Sequence, residues 1–145
     1  MIKIEISEDY DPLPDFLCEK IKDCVKTIFM DYKITSGFVH FILVSDDYLR
    51  KLKYKYFKKN VFTDVMTFNL EEEGEDIDGE IYISWERILE NAVKLKQPPQ
   101  NEFKRVLIHG VLHLLGLDDQ TKEEKSQMIF LEDKYLDKNP GVFYT

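Results

Sequence analysis

Three side chains near the end of the sequence have the types and spacing of a metal site. His109 and His113 are four residues apart in the segment HGVLHLLGLDD, which begins at residue 109. Residues four apart share one face of a helix, so both imidazoles can reach the same ion. Gly116 stands where this helix should end, and glycine there can take the left-handed conformation that turns the chain back. We predict that the turn brings Asp119 beside the histidines as a third ligand.

Two histidines and one carboxylate are a ligand set suited to catalytic zinc. Three protein ligands leave one coordination position for water. Zinc lowers the pKa of that water to ~7 and polarises a phosphoryl oxygen of the substrate. The third histidine of the chain, His40, lies in a strand-like run and is expected to be packed there. The sequence therefore predicts one zinc ion that serves hydrolysis.

The elements that must position this site alternate along the chain. Ile2, Ile4 and Ile6 alternate with polar residues, which predicts a half-buried strand. Further strands are expected over 38–44, 65–68 and 79–84, and helices over 15–32, 46–54, 85–96, 101–115 and 122–137. This order predicts one compact α+β domain over residues 1–145, with a small mixed sheet of about four strands packed with helices. The metal cleft should lie at the end of the His-bearing helix.

Composition favours a globular cytoplasmic protein. Hydrophobic residues make up 43% of the chain, enough for a packed core. The first residues lack the basic and apolar regions of a signal peptide, and the apolar run 38–44 falls short of the ~20 residues that span a membrane. Cys18 and Cys24 are spaced to lie on different faces of a helix, so no disulfide is expected.

A basic segment interrupts an otherwise acidic chain. The net charge is −8, which argues against non-specific nucleic-acid binding. Residues 50–59 nevertheless carry six positive charges, no negative charge and three aromatic rings, whereas residues 71–76 are acidic apart from one glycine and should form a solvated loop. The segment either binds the phosphates and bases of RNA or forms an ordinary solvated helix face. Its candidate RNA contacts are Arg50, Lys51, Lys53, Tyr54 and Lys55.

The motif resembles the signature of the YbeY family of bacterial rRNA-maturation endoribonucleases, H-G-x-L-H-L-x-G-Y-D-H. Seven positions match, Leu117 replaces the tyrosine, and Asp119 replaces the third histidine. The segments TDVMTF from residue 63 and GEI from residue 79 resemble two family strands, and Met128 and Glu132 match its last helix. The resemblance implies a single-strand-specific endoribonuclease acting in rRNA maturation and ribosome quality control. Its implied partners are ribosomal RNA and the small ribosomal subunit.

One departure from the family pattern concerns catalysis. The family carries an arginine where this chain has Phe57, which cannot stabilise a phosphate. Lys58 or Lys59 would then hold the scissile phosphate, although a lysine lacks arginine's fork. Asp118 either orients a histidine from behind or is a turn residue.

Two other functions fit the same residues. The ligand spacing also resembles the zincin peptidase signature H-E-x-x-H-x-x-G-x-x-[HD], but position 110 is glycine instead of the Glu that acts as general base. With Phe57 at the arginine position, the chain could alternatively be an RNA- or ribosome-binding assembly factor whose metal is structural.

Overall fold

A four-stranded mixed sheet forms the centre of the protein. The computed structural model describes residues 1–145. Strands β1 (Ile2–Glu8), β2 (Gly37–Val44), β3 (Val65–Asn69) and β4 (Ile77–Ser84) have the spatial order β1-β2-β4-β3. β1, β2 and β4 run parallel to one another, and β3 pairs antiparallel with β4. The predicted α+β class, with one compact domain and a mixed sheet, is confirmed.

Five helices complete the fold: α1 (Cys18–Asp31), α2 (Asp46–Phe57), α3 (Trp85–Lys94), α4 (Pro99–Leu114) and α5 (Lys122–Lys138). Their order agrees with the predicted one. Helix α1 starts later than predicted because the residues before it are extended and pair with the end of the chain. There, the Asp15 N–H donates to Thr145 O at 3.2 Å and the Leu17 N–H donates to Phe143 O at 2.8 Å. None of the five helices has the length and apolar character needed to cross a membrane.

The main core lies between one face of the sheet and helices α1, α4 and α5. Alternate residues of the strands point into it, as the period of a strand requires, and they are almost all β-branched or aromatic. A smaller cluster on the opposite face lies beneath α2 and contains Ile42, Val44, Leu49 and Met66. Both cysteines are free, and Cys18 is exposed whereas Cys24 is buried in the main core.

Two glycines allow α4 to approach the sheet closely. A Cβ atom added to Gly110 would lie 2.8 Å from Cγ2 of Ile81 on β4, which is too short for a real contact. A Cβ atom on Gly79 of β4 would overlap the side chain of Leu114. Both positions therefore exclude a larger side chain unless the helix moves away from the sheet.

Side chains of β3 fix the same helix by hydrogen bonds to its backbone. Thr67 Oγ1 donates to the carbonyl of Gly110 at 3.0 Å, and Asn69 Nδ2 donates to the carbonyl of Leu114 at 2.9 Å. The second bond satisfies a carbonyl in the last turn, where a helix leaves such groups without internal partners. These contacts fix the height and the register of α4 on the sheet without any contribution from a metal ion.

Candidate functional site

The three predicted ligands converge at the C-terminal end of α4. The Nε2 atoms of His109 and His113 lie 2.9 Å apart, and each lies 3.5 Å from a carboxylate oxygen of Asp119. Two metal bonds of about 2.1 Å that meet at a tetrahedral angle hold their ligand atoms about 3.4 Å apart. Two imidazole nitrogens and one carboxylate oxygen at these separations could hold a single metal ion.

The turn that returns the chain to the histidines has the predicted form. Gly116 has a φ of +94°, in the left-handed region. Its N–H donates to His113 O at 2.9 Å, and the N–H of Leu117 donates to Leu112 O at 3.1 Å. These two bonds close the helix end, so the following residues turn back towards the histidine face.

A buried carboxylate on α5 stands behind the first histidine. Glu132 Oε2 lies 2.6 Å from Nδ1 of His109, and only 7% of the Glu132 side chain is exposed. Its other oxygen accepts a hydrogen bond of 2.8 Å from Arg105, which also pairs with Asp133. A carboxylate at Nδ1 holds the proton on that nitrogen and leaves Nε2 free to bind a metal.

The charges around His109 favour its protonated form. Burial, the largest influence, lowers the pKa of the imidazole, but Glu132, Asp119 and Asp64 together outweigh it, so the pKa is raised. Burial also raises the pKa of the Asp64 carboxyl, while the charge of His109 lowers it. The site is therefore an electronegative pocket that attracts a cation.

Part of the basic segment borders the cleft that contains the ligands. This cleft has a volume of about 410 Å³ and is lined by Lys53, Phe57, Lys59, Val65, Met66, Thr67, His113, Asp118, Asp119 and Gln120. Two lysines thus line the same cleft as His113 and Asp119. Of the predicted catalytic and RNA-binding lysines, Lys53 and Lys59 border the cleft and the others do not.

Other residues of the basic segment have partners on α2 or just after it. Arg50 pairs with Asp47 and donates to Asn60 Oδ1 at 2.9 Å, and Lys51 lies 3.0 Å from Asp47. These two residues do not line the cleft, and neither do Tyr54 and Lys55, so Lys53 is the one predicted RNA contact that does. The Lys55 ammonium lies 5.4 Å from the ring of Tyr56, and the Lys58 ammonium lies 5.7 Å from the ring of Tyr54.

Asp118 acts in the turn. Its Oδ1 accepts the backbone N–H of Asp119 at 2.8 Å, and it has no hydrogen bond to either histidine. The carboxylate that contacts a histidine from behind is Glu132 instead of Asp118. Sequence reasoning noted Glu132 only as a match to the family. A second signal was available, because Met128, Glu132 and Tyr135 lie at helical spacing and place a carboxylate on the buried face of α5.

Comparisons with known proteins agree with this arrangement. A family profile described as Endoribonuclease YbeY matches residues 4–139. The chain belongs to the YbeY family. A YbeY relative from Karelsulcia muelleri, named Endoribonuclease YbeY, is 45% identical over 98 residues, which are 68% of this chain and 69% of that protein. A relative of the same name from Flavobacterium psychrophilum is 37% identical over 112 residues, 77% of this chain and 79% of that protein.

The fold of this YbeY chain also resembles a solved structure. The solution structure of TM1509 from Thermotoga maritima aligns with a TM-score of 0.59 and 27% identity, covering 95% of this chain and 91% of that one.

The packing of Gly110 bears on the peptidase alternative. A zincin needs a glutamate at this position as general base. Here the position faces β4, where even a Cβ atom would lie 2.8 Å from Ile81. The helix therefore has no room for the peptidase base beside its histidines.

Proposed function

We propose that the protein is a metal-dependent, single-strand-specific endoribonuclease that uses zinc. The observation that carries the proposal is a metal-ligand triad in a cleft bordered by two lysines. A phosphodiester carries a negative charge, which the Asp119 carboxylate would repel. The two lysines supply the positive charge that attracts it to the site. Family membership supports RNA as the substrate, because the relatives are named endoribonucleases.

The residues of the chain divide the chemistry between them. His109 and His113 present Nε2, and Glu132 keeps the proton of His109 on the opposite nitrogen. Bound zinc would supply a water of lowered pKa and a Lewis acid for a phosphoryl oxygen. We assign the scissile phosphate to Lys59, which lines the cleft, rather than to Lys58, whose ammonium lies over Tyr54.

Family membership supports an RNA substrate in general. We infer that the protein matures ribosomal RNA of the small subunit in the cytoplasm and takes part in ribosome quality control. An unpaired strand suits a narrow cleft, since single-stranded RNA exposes its bases to side chains.

Cleavage and metal content of the same preparations test the proposal. Wild type should contain about one zinc per chain by elemental analysis and should cleave single-stranded RNA faster than a duplex of the same sequence. His113→Ala should lose both the metal and the cleavage. His40→Gln is the matched control, because His40 bonds to Ser7 Oγ at 2.6 Å on another part of the sheet and should keep both properties.

The alternatives give different results. A chain that retains zinc against chelators but cleaves no RNA would be an assembly factor with a structural metal. Cleavage of small-subunit rRNA precursors at their ends would support the maturation role, whereas equal cleavage of any unpaired RNA would contradict it.

A further inference from the structure

An exposed aromatic ring stands in the cleft beside the metal ligands. Phe57 is the last residue of α2, and 53% of it is accessible to solvent. It lines the same cleft as His113 and Asp119. Single exposed apolar side chains are common on protein surfaces, but this ring lies within a cleft, where a ligand can contact its face.

The end of α2 holds the ring in this place. Leu49, Lys53 and Phe57 follow one another at intervals of four, and Leu49 is fully buried in the small cluster under the helix. The stripe thus anchors at one end and opens into the cleft at the other. Lys58 then takes a left-handed conformation, with a φ of 57°, and ends the helix. The chain turns there and brings Lys59 to the cleft.

Cations flank the ring on both sides along the chain. The Lys53 ammonium lies 5.1 Å from the centroid of the Phe57 ring, and Lys59 lines the same cleft. A flat apolar ring with one ammonium beside it and a second lysine in the same cleft, next to metal ligands, complements a nucleotide, whose flat base and charged phosphates lie next to each other. Bases in a duplex are stacked on their neighbours, so only an unpaired base can use the ring.

The other rings of the basic segment have different surroundings. Tyr54 is exposed outside the cleft, and Tyr56 packs against Phe68 with ring centroids 5.1 Å apart. Neither tyrosine lines the cleft, although Tyr54 is one of the RNA contacts that the sequence predicts. The aromatic residue beside the metal ligands is the phenylalanine.

We propose that Phe57 stacks on one unpaired nucleobase of the substrate while Lys53 and Lys59 hold the neighbouring phosphates. The proposal rests on the proposed function, since it requires RNA to occupy the cleft. It gives the single-strand preference a physical origin in this ring. Phe57 is then a specificity-determining residue and takes no part in the bond-breaking step.

Binding of a short oligouridine and of a duplex RNA, measured in a His113→Ala background that prevents cleavage, tests this role. Stacking of a base on an aromatic ring contributes enough that its loss should weaken oligouridine binding about 5- to 100-fold in Phe57→Leu. Phe57→Trp should bind at least as tightly as the parent, because the indole offers a larger stacking face. Duplex binding should change less than about twofold, since paired bases do not reach the ring. Phe130→Leu is the matched control, because Phe130 is 64% exposed on α5 and lies outside the cleft.

Salt dependence separates stacking from charge. Phe57→Leu should lower oligouridine affinity at every salt concentration without changing the slope, whereas Lys53→Gln should reduce the slope by about 0.7, one phosphate contact on a single strand. Equal oligouridine binding by the parent and Phe57→Leu would overturn the stacking role, and so would an equal loss for duplex. Cleavage by the otherwise wild-type enzyme is measured separately. Failure of cleavage alone refutes the nuclease function, and failure of the Phe57 series alone refutes the stacking role.

Discussion

Replacing Glu132 by Gln should disturb the metal site from behind without changing its shape. The carboxylate accepts from His109 Nδ1 at 2.6 Å through one oxygen and from Arg105 at 2.8 Å through the other. Both neighbours donate to it. A glutamine of the same size offers one acceptor and one donor, so either His109 or Arg105 must face an N–H group. If the glutamine N–H faces His109, Nδ1 must accept that hydrogen bond. The favoured tautomer then carries its proton on Nε2, the atom that binds the metal.

The size of the effect follows from the bond that is lost. A hydrogen bond to a charged group contributes about 1.5–3 kcal/mol, which corresponds to about 10- to 150-fold in an equilibrium constant. Substitutions behind metal ligands weaken metal binding by about 10- to 100-fold, which agrees with that range. We therefore expect zinc affinity to fall about 10- to 100-fold in Glu132→Gln.

Competition with a chromophoric chelator measures the zinc affinity, and thermal unfolding reports whether the variant is folded. Asp133→Asn is the matched control, because Asp133 pairs with the same Arg105 but is 58% exposed and does not touch His109. It should change zinc affinity by less than about twofold. Wild-type affinity in a folded Glu132→Gln protein would refute the argument. An equal loss in both variants would assign the effect to Arg105.

Other predictions concern single side chains elsewhere in the site and core. Asp119→Ala should lower zinc content and cleavage together, whereas Asp119→His should keep the metal and move the alkaline rise of cleavage to lower pH, because one negative charge leaves the metal. Gly110→Ala should destabilise the fold by about 1–3 kcal/mol in urea unfolding, since its Cβ meets β4, while Gly141→Ala has open space and should cost far less. A thiol reagent should label Cys18 alone in the native protein, because Cys24 is buried; both should react in denaturant. Burial raises the pKa of the Cys24 thiol from 9.0 to about 12. The contribution of the neutral thiol to the free energy of unfolding is therefore fully present below pH 9.0 and is lost as the pH rises towards 12.

The sequence predicts local features of this protein well. The strands follow from alternation and apolar runs, the helices from spacing, and the ligand triad from four-residue spacing followed by a helix-ending glycine. The His109, His113 and Asp119 geometry needs only residues that are close along the chain. This is why a helical-spacing argument could place all three side chains together.

Features that depend on contacts between distant parts of the chain could not be predicted from the sequence. The late start of α1 depends on pairing with residues at the other terminus. The distinction between Lys58 and Lys59 depends on a left-handed backbone at the helix end, which no local signal required of a lysine. Phe57 was noted only as a missing arginine, because sequence position alone does not reveal which exposed ring enters the cleft.

The closeness of the three ligands along the chain also affects how the protein acquires its metal. Closing a loop costs an entropy that grows with its length, by about 0.6 kcal/mol for each doubling. The loop from His109 to Asp119 is short, whereas Glu132 and β3 join the site only through tertiary packing. An unfolded or partly folded chain therefore retains some affinity for zinc as soon as one helical turn forms. Metal bound to the unfolded chain reduces the net stabilisation that the ion gives the native state. If the proposed function holds, we expect zinc to be captured early in folding and carried into the finished cleft.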